Sequence, residues 1–189
     1  MGAAKRYLSA DECLRDAWRL AAAVRGSGWR PDWLVGLWRG GTPAAIAVHE
    51  FFKASGWDVR HLPLKCWSYT GIGESSDTVR FLFGDEVFGM FRPGDKVLFV
   101  DDVFDTGGTA VAVVERSRRI GIDGKYACLY WKRPQNRTAL APDFYVADTG
   151  GDWLVFPHEF EGLSADEVRE KDARLAELVS PYLAGGNMV

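Results

Sequence analysis

The chain has 189 residues, 47% of them hydrophobic, and 26 acidic against 23 basic side chains leave a formal charge of −3. That length suffices for a single domain over residues 1–189, burying about 70% of its unfolded surface without disulfides or structural metal. An acidic balance argues against a nucleic-acid partner, and no stretch approaches the roughly 18 apolar residues of a membrane span, so stable membrane insertion is not expected.

Ser9-Ala10-Asp11-Glu12 is a capping box that opens an amphipathic helix to about residue 25, stopped by Gly26-Ser27-Gly28. The mostly apolar Trp33-Leu34-Val35-Gly36-Leu37-Trp38 reads as a strand, broken by Arg39-Gly40-Gly41-Thr42-Pro43, with Pro43 where the next helix begins. Residues 44–54 are predicted helical and 57–65 extended. Residues 70–77 form a polar, glycine-bearing loop, followed by a hairpin-like pair over 78–83 and 86–91. A strand over 97–100, a helix over 108–120, a strand over 125–131 and a short strand over 144–146 complete the alternation. Residues 150–157 read as a loop, and Ser164-Ala165-Asp166-Glu167 caps a last charged helix reaching about residue 179. Strands and helices in this order imply an α/β fold, a mostly parallel sheet flanked by helices.

The most informative stretch is Val97-Leu98-Phe99-Val100-Asp101-Asp102-Val103-Phe104-Asp105-Thr106-Gly107-Gly108-Thr109. A buried apolar strand runs into three acids and then into a hydroxyl-and-glycine turn that opens a helix. Thr106, Gly107, Gly108 and Thr109 thus lie at a helix N-terminus, where free N–H groups and the positive dipole end favour a phosphate. Asp101, Asp102 and Asp105 can accept from ribose hydroxyls, hold a divalent cation or exchange a proton with a base. Capping alone would explain Asp-Thr-Gly, but not three acids and two hydroxyls behind one apolar strand. Arg39 and Gly40 repeat the pattern with a guanidinium suited to planar recognition of phosphate. Without a Lys-Ser/Thr ending that loop is not a nucleoside-triphosphatase loop. Cys13, Cys66 and Cys128 are odd in number and far apart, with no zinc-ligand spacing, and read as reduced thiols of a cytoplasmic protein. Asn136-Arg137-Thr138 matches a glycosylation acceptor but is expected to be idle without a secretory signal.

The string from Asp101 to Thr109 resembles the phosphoribosyl-pyrophosphate motif of type I phosphoribosyltransferases, and Arg39-Gly40-Gly41-Thr42 resembles their pyrophosphate loop. The resemblance covers roughly residues 34–159 and is most similar to bacterial xanthine-guanine phosphoribosyltransferase and its hypoxanthine relatives. It implies transfer of ribose 5-phosphate from phosphoribosyl pyrophosphate to a 6-oxopurine with Mg2+, in a homo-dimer or homo-tetramer. It also implies a cis peptide between Trp38 and Arg39. Asp105 would be the catalytic acid-base group. Arg39, Gly40, Ser68, Tyr69, Asp101, Asp102, Thr106, Gly107, Gly108 and Thr109 would bind phosphoribosyl pyrophosphate. Lys132 would contact the purine 6-oxo group, Trp153 would stack on the base, and the Leu154 carbonyl would meet the purine edge. Asp101, Asp102 and Glu159 would serve the metal, within a small hood over about residues 132–160.

Three departures from the pattern stand out. Arg133 is inserted between Lys132 and Pro134, Glu159 stands where Asp is more usual, and His158 replaces an aromatic. Two other functions remain open on the sequence: a non-catalytic regulatory protein that senses phosphoribosyl pyrophosphate, and the same transfer to another base. A DNA-binding regulator would want a basic face, which this chain lacks; adenine offers an amino group where Lys132 needs an acceptor.

Overall fold

Continuous apolar runs belong in parallel strands covered on both faces. The computed structural model of the chain describes residues 5–69, 78–179 and 182. In order the elements are β1 (Lys5–Tyr7), α1 (Ala10–Gly26), β2 (Trp33–Trp38), α2 (Gly41–Ala54), β3 (Arg60–Tyr69), β4 (Thr78–Phe81) and α3 (Gly84–Phe88). They continue with β5 (Lys96–Phe104), α4 (Gly108–Ile120), β6 (Asp123–Trp131), a 3-10 turn (Arg133–Gln135), β7 (Phe144–Asp148), β8 (Trp153–Val155), α5 (Ala165–Lys171) and α6 (Ala173–Val179). None of the described helices is long and apolar enough to cross a membrane.

Two compact units emerge: a larger one over Asp11–Asp152, and a smaller one that joins residues up to Ala10 with those from Trp153 onward. The larger unit is built on a six-stranded sheet of order β4-β3-β2-β5-β6-β7, parallel except for the antiparallel edge strand β4. The chain steps from β2 outward to β3, then crosses back to β5 on the other side of β2, so the direction of winding reverses between β2 and β5. Ligands in such sheets bind outside the carboxyl ends of the strands at that reversal. Pairing of β2 with β5 stops at Gly36 and Val100, while β5 runs on beside β6 to Phe104 opposite Trp131. The acids therefore project beyond the strand that flanks them. Below them Val35, Leu37, Leu64, Phe99, Val113 and Cys128 pack into one buried cluster.

In the smaller unit β1 pairs in parallel with β8, Lys5 opposite Trp153 and Tyr7 opposite Val155. The Lys5 ammonium meets Glu167 at 2.5 Å, and the Lys171 ammonium donates to the carbonyls of Phe156 and Glu159. Ser164 caps α5 through the expected box, its hydroxyl accepting from Glu167 N.

Several expectations change. The second arm of the predicted hairpin is helix α3, because Phe83 takes a left-handed conformation (φ 53°) and turns the chain away. The last charged helix is two helices, divided at Asp172, whose carboxylate accepts from the amides of Arg174 and Leu175 and so caps α6. Strand β8 lies inside the expected loop 150–157. The residues assigned to a hood divide at Trp153, those up to Asp152 falling in the larger unit. The expected polar loop over 70–77 lies outside the described residues.

Candidate functional site

The crevice is set by two strand-to-helix turns. At the end of β5, Gly107 caps α4 in a left-handed conformation (φ 88°), and Val111 N donates to its carbonyl. A side chain there would be strained and would also strike Thr138 Oγ1 at 2.6 Å and Asn136 Oδ1 at 3.0 Å. The segment over 136–140 thus packs against this turn, and Arg137 N donates to Thr106 O at 3.0 Å. Amides of Gly108 and Thr109 open the first turn of α4, where N–H groups lack partners within the helix. This suits an anion.

At the end of β2 the Trp38–Arg39 peptide is cis, and Gly40 and Gly41 lead directly into α2. A Cβ on Gly40 would lie 1.8 Å from Asp102 Oδ2, and one on Gly41 would lie 2.2 Å from Val100 O. Two glycines therefore let this turn rest on the exposed end of β5. Arg39, Gly40 and Asp102 come together although 62 positions separate the last two in sequence.

Sequence reading places the three acids in one group, and the structure distinguishes them. Asp101 Oδ2 accepts from the Tyr126 hydroxyl at 2.5 Å, and its Oδ1 accepts from Asp102 N at 3.0 Å. Asp102 Oδ1 accepts from Val103 N at 2.8 Å and its carboxylate faces Gly40. Asp105 lies past the strand end, 45% exposed, with its Oδ2 3.2 Å from the Lys132 ammonium. Burial pushes the Asp101 carboxyl above the usual carboxylate range, and the Tyr126 hydrogen bond opposes that shift. Burial raises the Cys66 thiol to about 12, and the charges of Asp101 and Asp102 add to the rise.

Lys132 Nζ is held toward Asp105 because Lys132 N donates to Phe104 O at 2.9 Å, which ties the end of β6 to the end of β5. Arg133, the inserted residue, begins the 3-10 turn and directs its guanidinium to Asp148 at 2.9 Å and over the Trp131 ring. The insertion is thereby accommodated without displacing Lys132 from Asp105. Tyr126, Asn136 and Thr138 are not among the site residues expected from the sequence; only the strand register and the loop path bring them here.

Trp153, Leu154 and Glu159 belong to the smaller unit. Trp153 is 59% exposed, with the Lys5 ammonium 6.0 Å from its ring centroid, and Leu154 is buried. Glu159 Oε2 accepts from Phe156 N at 3.0 Å, closing a turn. Ser68 and Tyr69 end β3, and their side chains lie outside the described residues.

No family model matches the chain. Among solved structures it is similar to a purine phosphoribosyltransferase from Pyrococcus horikoshii, 27% identical, over 85% of this chain and 97% of that one, with a TM-score of 0.65. The chain has the type I phosphoribosyltransferase fold. The phosphoribosyltransferase fold recurs in a protein from Neisseria gonorrhoeae solved with bound ppGpp, 20% identical, over 94% of this chain and 98% of that one, TM-score 0.72. An adenine phosphoribosyltransferase from Methylobacterium radiotolerans is 50% identical over 44 residues, 23% of this chain and only 24% of that relative's length. The match thus spans about a quarter of the length of the curated adenine phosphoribosyltransferases the chain resembles. Both motifs that carried the family resemblance, Arg39-Gly40 and Asp101 to Thr109, meet at the reversal between β2 and β5.

Proposed function

We propose that this chain is an enzyme that transfers ribose 5-phosphate from phosphoribosyl pyrophosphate to a 6-oxopurine, releasing pyrophosphate. The observation that carries the base preference is the Lys132–Asp105 pair, with Nζ and Oδ2 at 3.2 Å. A donor and an acceptor side by side match the purine edge on which the 6-oxo acceptor neighbours N7. Lys132 would donate to the 6-oxo group while Asp105 takes the N7 proton. The bond from C1 of the ribose to pyrophosphate breaks as the bond to N9 forms, and the proton passes from Asp105 to solvent. Thr106 to Thr109 would hold the 5-phosphate on the α4 N-terminus, remote from the reacting carbon. Arg39 and Gly40 would hold the leaving pyrophosphate, with Ser68 and Tyr69 also contributing to the phosphoribosyl-pyrophosphate site.

Mg2+ fits the donor set, since Asp101 and Asp102 offer hard oxygen ligands and the Asp102 carboxylate occupies a cradle that a side chain on Gly40 would fill. Asp101, Asp102 and Glu159 would hold the ion, which when bound supplies positive charge beside the leaving group. Trp153 would stack on the base, with the Leu154 carbonyl at its edge. We read both units as parts of one phosphoribosyltransferase domain acting in the cytoplasm as a homo-dimer or homo-tetramer on small-molecule substrates.

Transfer to adenine is the second reading, favoured by the short adenine phosphoribosyltransferase match. Rates with hypoxanthine, guanine, xanthine and adenine, each with and without Mg2+, separate the two. In the wild type, 6-oxopurines should be used far better than adenine, because an unmatched buried donor costs about 1–3 kcal/mol. Lys132→Ala should erode that preference more than it raises KM for phosphoribosyl pyrophosphate. Equal use of adenine by the wild type overturns the 6-oxopurine reading, and no product with any base returns the chain to a sensor.

A further inference from the structure

We propose that Tyr126 is a positioning residue for phosphoribosyl pyrophosphate binding, acting through Asp101 from beneath the site. The inference rests on the proposed transfer reaction and adds to it a residue that never touches substrate. Tyr126 is 2% exposed and its hydroxyl donates to Asp101 Oδ2 at 2.5 Å. Its ring is fixed by the edge-to-face contact with Phe104, centroids 5.7 Å apart. Its backbone is fixed as well: Tyr126 N donates to Asp143 Oδ2 at 2.9 Å, and Asp143 N donates back to Tyr126 O at 2.8 Å.

Asp101 depends on this support. It sits one residue past the last β2–β5 pair, where only β6 flanks the strand. Gly41 lies so near that a Cβ added to it would come within 2.7 Å of the Asp101 Cα. Oδ1 is held by the Asp102 amide, and Oδ2 by Tyr126. With both oxygens anchored the carboxylate has one orientation, and its remaining lone pairs are aimed before any ligand arrives. Without the phenol, Oδ2 loses the hydrogen bond that holds it and the side chain can rotate. A group that must meet ribose hydroxyls or a metal loses affinity when its orientation has to be found on binding.

The test is a double-mutant cycle on the full chain, comparing wild type, Tyr126→Phe, Asp101→Ala and the double variant. Dissociation constants for phosphoribosyl pyrophosphate with Mg2+ are measured by calorimetry, beside KM for purine, kcat and Tm. We expect Tyr126→Phe to weaken phosphoribosyl pyrophosphate roughly tenfold, the scale of a lost hydrogen bond to a charged group, with KM for purine little changed. In the Asp101→Ala background, where no acceptor is left for the phenol, the same substitution should have no further effect, which a merely structural tyrosine would not show. Where the Phe variant does not fold, 4-aminophenylalanine at position 126 keeps a donor of nearly the same reach and should restore wild-type binding. Equal effects of Tyr126→Phe in both backgrounds, or a fall in Tm with binding unchanged, overturns the proposal. A wild type that does not bind phosphoribosyl pyrophosphate instead overturns the reaction on which it rests.

Discussion

Replacing Gly40 by Ala should disable the site while sparing the fold. The backbone there (φ −64°, ψ −37°) accepts any residue, so the whole effect comes from the added methyl group. That carbon would lie 1.8 Å from Asp102 Oδ2, 2.4 Å from Cγ and 2.8 Å from Oδ1. Ordinary contact requires about 3.5 Å, so the turn and the carboxylate must separate by roughly 1.7 Å. Asp102 cannot retreat freely, because Oδ1 holds Val103 N at 2.8 Å. Either the pyrophosphate turn or the acid then leaves its place, and a misplacement of about 1 Å costs on the order of 10²-fold in rate. We therefore expect kcat/KM for phosphoribosyl pyrophosphate to fall about 10²-fold or more, near 2.7 kcal/mol of lost transition-state stabilisation, with Tm within a few degrees of wild type. The assay is initial-rate release of pyrophosphate with phosphoribosyl pyrophosphate varied, beside a thermal melt. Gly26→Ala, where an added Cβ meets nothing within 4 Å, is the control. Activity within threefold of wild type would refute the idea that Gly40 and Asp102 form one pocket.

Two further outcomes follow from the same geometry. Asp105→Asn should slow transfer by roughly 10²-fold or more with unchanged circular dichroism, the usual scale for a positioned acid-base group; turnover within a few-fold of wild type removes Asp105 from that role. Burial raises Cys13 from 9.0 to about 11 and Cys66 from 9.0 to about 12, so at pH 8 their thiolate fractions fall roughly 100-fold and 1000-fold below an ordinary thiol, and alkylation by iodoacetamide should be slowed in proportion. Because the folded values are raised, the stability tied to these thiols is intact below about pH 9 and is lost as pH climbs toward 11 and 12, which a pH series of thermal melts will register. Rapid labelling of the native protein at pH 8 contradicts that burial.

What could be read from the sequence was governed by patterns of one element at a time. Trp33–Trp38 and Gly108–Ile120 are found at their expected limits because an unbroken apolar run and a glycine-started helix are local signals. The acids after Val100 are visible for the same reason, as a change of character within one segment. Strand β1 has only three residues, Lys5, Arg6 and Tyr7, and no pattern of its own; its single partner β8 makes it a strand. The break at Asp172 was available as a capping residue inside a helical pattern, but the continuous amphipathic spacing outweighed it. Tyr126 and Lys132 acquire partners only when β6 is laid beside β5 with Asp101 opposite Cys128, a register no single strand encodes.

The pairing of β1 with β8 also has a consequence for how the molecule is made. Lys5 leaves the ribosome well before its strand partner Trp153, which lies about 150 residues later. At roughly 5–20 residues per second, β1 waits unpaired for about 7–30 s while the strands of the six-stranded sheet are still being made. The β1–β8 pair can therefore form only after residues 11–152 have been made. Birth order and pairing order diverge here: β1 emerges before β2 yet meets its partner only after every strand of the larger sheet has emerged.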